Sequence, residues 1–271
     1  MTIYFPMKNI IMFNRKIIAL ESRLKRCRNV ETLGVRPNYS DYCHADINKM
    51  MNASKIYYPS THYAGLFHTA GKRIFPSFHT YHYVQDKIKQ TTLFNLAGIC
   101  HPETRFFYGR KQKNTILNYF KFPFIAKIPR GSSRGMGVFL IQNSDDLTNY
   151  LNLTKVAYIQ EYLETDRDIR VVVIGNQVVH AYYRVSRHGE FRTNLSRGGS
   201  VSLSEIPSEA CDLALDVSKR FGWNDVGIDI LLHKGKYFIL EVNMKYGTEG
   251  FEKAGMNFYT LMENMIENGD I

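Results

Sequence analysis

Gly227-Ile228-Asp229-Ile230-Leu231-Leu232-His233-Lys234-Gly235-Lys236-Tyr237-Phe238-Ile239-Leu240-Glu241-Val242-Asn243 joins two apolar runs through a short glycine-centred turn, the pattern of a β-hairpin. Side chains alternate along a strand, so Glu241 and Asn243 share a face. With the turn centred near Gly235, Asp229 falls opposite Glu241 to within a residue. Cross-strand Cβ atoms lie roughly 4.5–5.5 Å apart, close enough for two carboxylates to share a cation. A hard cation such as Mg²⁺, bound partly through substrate phosphates, takes such a sparse set of protein oxygens. From this stretch alone, an exposed hairpin with polar residues on its wet face reads equally well.

A chain of 271 residues is long enough for two domains or one large one, and 44% hydrophobic with 22% charged residues is ordinary for a folded globular protein. The cysteines, Cys27, Cys43, Cys100 and Cys211, are scattered without a Cys-x-x-Cys pair. That spacing suits neither zinc nor a disulfide framework and points to reduced thiols in a cytoplasmic setting. Near the N-terminus, Asn14, Arg15 and Lys16 interrupt the apolar residues, so neither a membrane span nor a cleavable signal is expected. The net charge of +10 is uneven. Basic residues crowd the first thirty positions and the tract Arg105 to Arg134, while the last thirty residues lean acidic. Such a field favours polyanions: nucleotide phosphates, nucleic acid or an acidic protein tail. The alternating basic and aromatic pattern of a nucleic-acid module is missing, which makes nucleic acid the weakest of the three.

Residues 1–85 read as a small α/β unit, with strands at Asn9–Phe13 and Lys55–Tyr58 and a basic amphipathic helix over Lys16–Arg28. No Gly-x-Gly-x-x-Gly fingerprint accompanies them. A helix is expected from Asp86 to Leu96. Strands at Phe122–Pro129 and Gly137–Gln142 flank a glycine-rich loop, and Ser144 is the expected cap of a helix through Asn152. Strands at Ala157–Leu163 and Ile169–Ile174 follow. Ala210, Leu213, Ala214, Val217 and Phe221 recur at helical spacing before Gly222. A last helix spans Asn257–Asn268.

Other residues carry chemistry. Lys127 sits in an apolar strand, where an ammonium needs a partner such as a phosphate. The loop Gly131-Ser132-Ser133-Arg134-Gly135-Met136-Gly137 lets backbone N–H groups approach phosphates. It is not a P-loop, because Lys-Ser/Thr is missing and a strand follows. A third cluster holds Arg184, Arg192, Asn194, Arg197 and Gly198-Gly199, with guanidinium groups suited to gripping carboxylates or phosphates.

Taken in order (lysine, glycine-rich hairpin, acidic hinge, arginine loop, Asp…Glu-x-Asn), the chain resembles the ATP-grasp superfamily, specifically its RimK-type branch of ribosomal-protein glutamate ligases. The resemblance covers about Asp86 to Gly255. It is most specific in Gln160-Glu161-Tyr162-Leu163, Asp168-Ile169-Arg170, Phe191-Arg192-Thr193-Asn194 with Arg197-Gly198-Gly199, Gly227-Ile228-Asp229-Ile230 and Leu240-Glu241-Val242-Asn243. It implies an α+β ATP-grasp fold, two subdomains gripping ATP between antiparallel sheets, preceded by a small α/β domain. The expected boundaries are 1–85, 86–155 for the lid subdomain and 156–271 for the C-terminal subdomain. By carry-over, Lys87 and Lys127 hold phosphates beneath a flap that includes Gly131, Ser132, Ser133 and Gly135. Glu161, Tyr162 and Leu163 line the adenine, and Asp168 approaches the ribose. Asp229, Glu241 and Asn243 bind two Mg²⁺ ions, with Mn²⁺ as a substitute. Arg192 and Asn194 reach the γ-phosphate side. One departure stands out: the family follows Glu-Val-Asn with a small residue and Ser-Pro-Gly, whereas here Met244-Lys245-Tyr246-Gly247 follows. Bulk at that point is expected to reshape the acceptor pocket.

The activity so implied is ATP-dependent carboxylate–amine ligation through an acyl phosphate. Arg184 and Arg192 steady the transferring group, and an amino acid such as glutamate joins a peptide, protein tail or small carboxylate. Related ligases often assemble as dimers or tetramers, and the sequence leaves that open. A kinase acting on a polyanionic hydroxyl and a silent nucleotide-binding module remain the alternatives.

Overall fold

The computed structural model describes residues 17–131, 137–187 and 198–271. Three sheets organise them. The first is built from β1 (Ile17–Ala19), β2 (Val30–Thr32), β3 (Ile56–Tyr57) and β4 (Ile74–Phe75), all parallel in the order β2-β1-β3-β4. Parallel strands need crossovers, and here α1 (His44–Asn52) and α2 (Ser60–Thr69) supply two of them. Ile18, Leu20, Ile56, Tyr63 and Phe67 form a core against them. The helix expected over Lys16–Arg28 is not found among the described residues. Ile17-Ile18-Ala19 pairs as a strand, and only Ser22–Leu24 makes a 3₁₀ turn. β-branched residues with strands to pair on both sides outweigh a basic spacing that merely imitates a helix face. The strand expected at Asn9–Phe13 lies outside the described residues.

After α3 (Phe78–Tyr83), the helix α4 (Lys87–Ala97) begins at an Asp86 cap whose carboxylate accepts from the N–H groups of Ile88 and Lys89, and it stops at Gly98 with φ +66°. The second sheet comprises β5 (Thr104–Tyr108), β6 (Phe124–Lys127), β7 (Val138–Ile141) and β8 (Val156–Glu161), antiparallel in the order β5-β8-β6-β7. Between them lie α5 (Gly109–Lys113) and α6 (Ser144–Leu153). Asn143, one residue before the expected Ser144, caps α6 by accepting from the N–H groups of Asp145 and Asp146. Phe107, Phe124, Tyr150 and Ile159 fill this sheet's core. The Tyr150 hydroxyl donates to the Lys127 carbonyl (2.7 Å) and accepts from the Tyr158 N–H (2.9 Å), fixing the end of β6. The expected boundary at 155/156 separates β8 from the sheet in which it pairs, so the small sheet extends through Glu161.

The third sheet is antiparallel, with β9 (Arg167–Ile174), β10 (Gln177–Val185), β11 (Ser200–Ser202), β12 (Asp225–His233) and β13 (Lys236–Asn243) in the order β11-β10-β9-β12-β13. α7 (Ser208–Phe221) covers one face of it, and α8 (Glu249–Lys253) with α9 (Phe258–Glu267) covers the other. β9 is consequently buried on both faces: Val171 and Val173 join the cluster with Ala214 and Trp223, while Val172 and Ile174 join Phe251 and Met262. Such burial is why its sequence is a continuous apolar run rather than an alternating one. α4 closes the edge at β13. Gln90 donates to the Val242 carbonyl (2.9 Å) and accepts the Val242 N–H (3.0 Å), acting as a one-residue strand partner. No helix among the described residues is long and apolar enough to cross a membrane.

Candidate active site between the two antiparallel sheets

The hairpin that opened the sequence argument forms, and a β-bulge between Asp229 and Ile230 shifts its register by one residue on the far side of the turn. Lys234 and Gly235 take positive φ at the turn, and Asp229 pairs directly with Glu241, Gly227 with Asn243. β12 also pairs with β9, setting Asp229 beside Arg170, and β9 pairs with β10, setting Asp168 beside Arg184. The registers thus gather three acidic and two basic side chains at one end of the large sheet.

A cleft opens between that end and the small sheet. The small sheet contributes Ile125, Lys127, Val138 and Gln160 to it. The large sheet contributes Asp168, Arg184, Asp229, Leu231, Leu240 and Glu241. The β8–β9 connection, Glu161, Tyr162, Leu163 and Thr165, closes one side. Apolar walls and a few convergent charges are the usual constitution of a small-molecule site. The Glu161 carboxylate accepts from the Glu103 N–H (2.7 Å), and the Glu161 N–H donates to the Glu103 carbonyl (2.9 Å).

The electrostatics are dense. Arg184 donates to both Asp168 oxygens (2.8 and 2.5 Å) and lies 2.9 Å from the second Asp229 oxygen. Arg170 donates to the first Asp229 oxygen, and the Asn243 amide donates to the second at 3.3 Å. Burial pushes the Asp229 carboxyl up, but Arg170 and Arg184 outweigh it and hold the group below the usual carboxylate range. Lys87, on the first turn of α4, forms a 2.9 Å ion pair with Glu241. Its helix is tied to the end of β6: the Lys87 N–H donates to the Pro129 carbonyl (3.2 Å), and Arg130 donates to Asp86 (2.7 Å).

Lys127 is 6% exposed, and its ammonium comes within 3.5 Å of the Leu240 carbonyl. Burial lowers its pKa to about 8, against a partial upward pull from Glu241. Between about 8 and its ordinary 10.5, the unfolded chain holds this proton more often than the folded one. The group's contribution to stability therefore rises with pH across that window. Anionic phosphates in the cleft would restore the proton. Nucleotide binding near pH 8.5 is accordingly expected to take up protons, as calorimetry in buffers of differing ionisation enthalpy would detect. Lys127→Ala should abolish the uptake and weaken ATP binding by on the order of 10-fold or more. Equal nucleotide affinity in that variant would count against the assignment.

The structure brings together Lys87, Lys127, Glu161, Tyr162, Leu163, Asp168, Arg184, Asp229, Glu241 and Asn243 around one cleft. Gly131, with φ +71°, begins the glycine-rich loop. Ser132, Ser133, Gly135, Arg192 and Asn194 lie outside the described residues. Two of the assembled residues are engaged differently from expectation. Asp168 and Arg184 face each other in a buried pair, so Arg184 braces two carboxylates instead of reaching outward. Sequence reading gave Arg170 no role, and likewise the apolar walls Ile125, Leu231 and Leu240. The signals for Arg170 were its place in the Asp168-Ile169-Arg170 motif and a charge in a strand otherwise apolar. The Met244-Lys245-Tyr246 departure proves to be mostly core. Met244 packs with Val242 and Ile228, and the Tyr246 hydroxyl donates to Asp225 (2.5 Å), which Tyr58 also bonds (2.7 Å). Of the three only Lys245 is exposed.

Two carboxylates and one amide on facing strands fit a hard divalent cation in donor type, with room in its coordination for phosphate oxygens. Cations already stand against those carboxylates, namely Lys87 at Glu241 and the arginines at Asp229. Mn²⁺ is therefore expected to bind at least about 10-fold more tightly with ADP present than alone. Electron paramagnetic resonance titrations check this, and equal affinity in both titrations would contradict it.

Residues 84–266 match the RimK-like ATP-grasp domain. The chain belongs to that family. Among its relatives is the "Probable alpha-L-glutamate ligase" of Vibrio vulnificus (strain YJ016), 33% identical over 177 residues, covering 63% of this chain and 58% of that protein. The match thus spans less than two thirds of that relative's length. Among solved structures, a RimK domain ATP-grasp protein from Sphaerobacter thermophilus DSM 20745 superposes with a TM-score of 0.68 at 16% identity, over 88% of this chain and 95% of that one. The D-alanine–D-alanine ligase of Bacillus anthracis in complex with ATP gives 0.67 at 15% identity, over 92% and 95%. At such identities the structural likeness speaks for the ATP-grasp fold, whose two antiparallel sheets are those that border the cleft here.

Proposed function

We propose that this RimK-like protein is an ATP-dependent carboxylate–amine ligase that joins an amino acid, glutamate being the leading candidate, to a carboxylate acceptor. The observation that carries the reading is the cleft itself. A buried lysine on the small sheet looks across to paired carboxylates on the large one, with the connection through Glu161, Tyr162 and Leu163 alongside. Adenine would lie on the hinge at Glu161, Tyr162 and Leu163 between Ile125, Leu231 and Leu240, and the ribose near Asp168. Lys87 and Lys127 would hold phosphates beneath the loop containing Gly131, Ser132, Ser133 and Gly135. Asp229, Glu241 and Asn243 would hold two Mg²⁺ ions, or Mn²⁺ in their place, which when bound supply positive charge to the transferring phosphoryl group. Arg192 and Asn194 would meet that group from the arginine loop, and Arg184 would keep Asp168 and Asp229 ionised and aimed.

The acceptor carboxylate attacks the γ-phosphorus and ADP leaves, giving an acyl phosphate. The amine then attacks the acyl carbon and phosphate departs, leaving an amide. The ligase name of the Vibrio relative supports glutamate as the amine, and the chain's +10 charge suits an acidic peptide or protein tail as acceptor.

Mass spectrometry of products formed from ATP, Mg²⁺, pooled amino acids and acidic peptides tests the proposal. Acceptors heavier by one or more aminoacyl residues, with ADP and phosphate released in step, are expected. A stable phosphorylated acceptor would replace the reading with a kinase, and nucleotide binding without turnover over a broad panel would leave a silent module.

A further inference from the structure

Away from the cleft, a cavity of about 560 Å³ opens where the parallel sheet meets the large one. It lies at the other end of β9 from Asp168, roughly 20 Å along the strand by the usual rise. One wall holds Lys55, Lys72 and Arg73, which lead into β3 and β4. The facing wall is the Gly175–Asn176 turn of the β9–β10 hairpin together with Asn224. His68 and His79 stand among its lining, and Asp270 is its single acidic side chain.

Three cations line this cavity against one acidic side chain. Lys49, Lys87, Arg170 and Arg184 each meet a carboxylate. Among the described residues, no carboxylate lies within ion-pair distance of Lys55, Lys72 or Arg73. Lys72 donates to the Met51 carbonyl (2.7 Å), and the Lys55 ammonium sits 5.5 Å from the Tyr57 ring. Both lysines are half-buried, and burial, joined at Lys55 by the neighbouring Arg73, lowers the pKa of each. Lys55 and Lys72 are thus partly desolvated, Arg73 is exposed beside Lys55, and Asp270 alone opposes them with an acidic side chain, so an anion entering the cavity meets a net positive lining. Neutral donors are also present. Asn224 accepts the Ser77 N–H (2.7 Å) with its side-chain oxygen, which leaves its NH₂ as a donor on the wall.

We propose that this cavity binds a compact multivalent anion bearing phosphate or clustered carboxylates, independently of the nucleotide cleft. Because its walls come from two different sheets, the anion cross-links them and stabilises the fold by linkage. The inference does not depend on the ligase reading.

The test uses the full chain, calorimetry and thermal unfolding, with inorganic pyrophosphate and tetra-L-glutamate as separate probes. Saturable binding of at least one probe with Kd below about 1 mM, and a raised Tm, are expected. The double variant K55Q/R73Q should bind at least about 10-fold more weakly, while Lys127→Ala binds as the unaltered chain does. If the double variant does not fold, Arg73→Gln alone carries the comparison. Pyrophosphate binding alone identifies a phosphoryl compound as the ligand, and tetraglutamate binding alone an acidic peptide. No saturable binding of either probe overturns the proposal. So does binding that survives K55Q/R73Q but is lost in Lys127→Ala, which would put the anion in the nucleotide cleft.

Discussion

In Glu241→Gln protein, ADP release in the presence of acceptor and amine is expected to fall by on the order of 100-fold or more, about 2.7 kcal/mol in the barrier. The substitution keeps the shape of the side chain and a hydrogen-bonding oxygen for Lys87. It removes one negative charge from the strand position directly opposite Asp229. On the proposed reading, a divalent cation then loses an anionic ligand, and Lys87 and Lys127 would face the triphosphate without their carboxylate counterweight. Folding should be nearly indifferent, because Glu241 is only partly buried, with 21% of its side chain exposed, and contributes little to the core. A thermal midpoint within about 3 °C of the parent is expected. Unchanged metal-dependent turnover would remove Glu241 from the metal site.

The second large effect is on stability. Arg184→Met leaves Asp168 and Asp229, both buried, without the guanidinium that bonds one bidentately and the other at 2.9 Å. Breaking a buried pair from one side leaves uncompensated charge, a loss of about 3–5 kcal/mol. Arg170 still bonds Asp229, so Asp168 is the carboxylate most exposed to the change. Urea unfolding of the variant is expected to show that loss with an unchanged slope. Substituting Asp168→Asn in the same chain should recover part of it, since the charge that Arg184 balanced is then removed as well. If the single variant unfolds like the parent, Arg184 is not the brace described here.

Much of this architecture was legible in the residues. Period-two alternation and a Lys-Gly turn set Asp229 against Glu241 to within a residue, because hairpin register follows from local turn geometry, but the β-bulge between Asp229 and Ile230 that makes the pairing direct was not legible there. The helix expected from Asp86 to Leu96 was likewise local, although Asp86 proves to be its cap and not its first turn. Longer-range facts were hidden. Arg170 and Asp229 are 59 positions apart, and nothing in either segment states the β9–β12 register that joins them. Tyr246 read as a bulky intrusion into a substrate pocket, yet its partners are Asp225 on β12 and, through it, Tyr58 at the end of β3. Only tertiary packing reveals that the loop after Asn243 is pinned to the parallel sheet. Lys16–Arg28 misled because charge spacing suggested a helix face where strand pairing decided the outcome. β8 misled in another way: its apolar run fitted either sheet, and only its pairing with β5 and β6 assigns it to the smaller one.

A crystal structure of the chain with Mg²⁺ and a non-hydrolysable ATP analogue bears most directly on the account. The base should rest on the 161–163 hinge, with a phosphate oxygen within hydrogen-bonding distance of the Lys127 ammonium and Mg²⁺ between the phosphates and Glu241. An analogue bound elsewhere, with Lys127 still directed at the Leu240 carbonyl and no metal at Asp229 or Glu241, would contradict it.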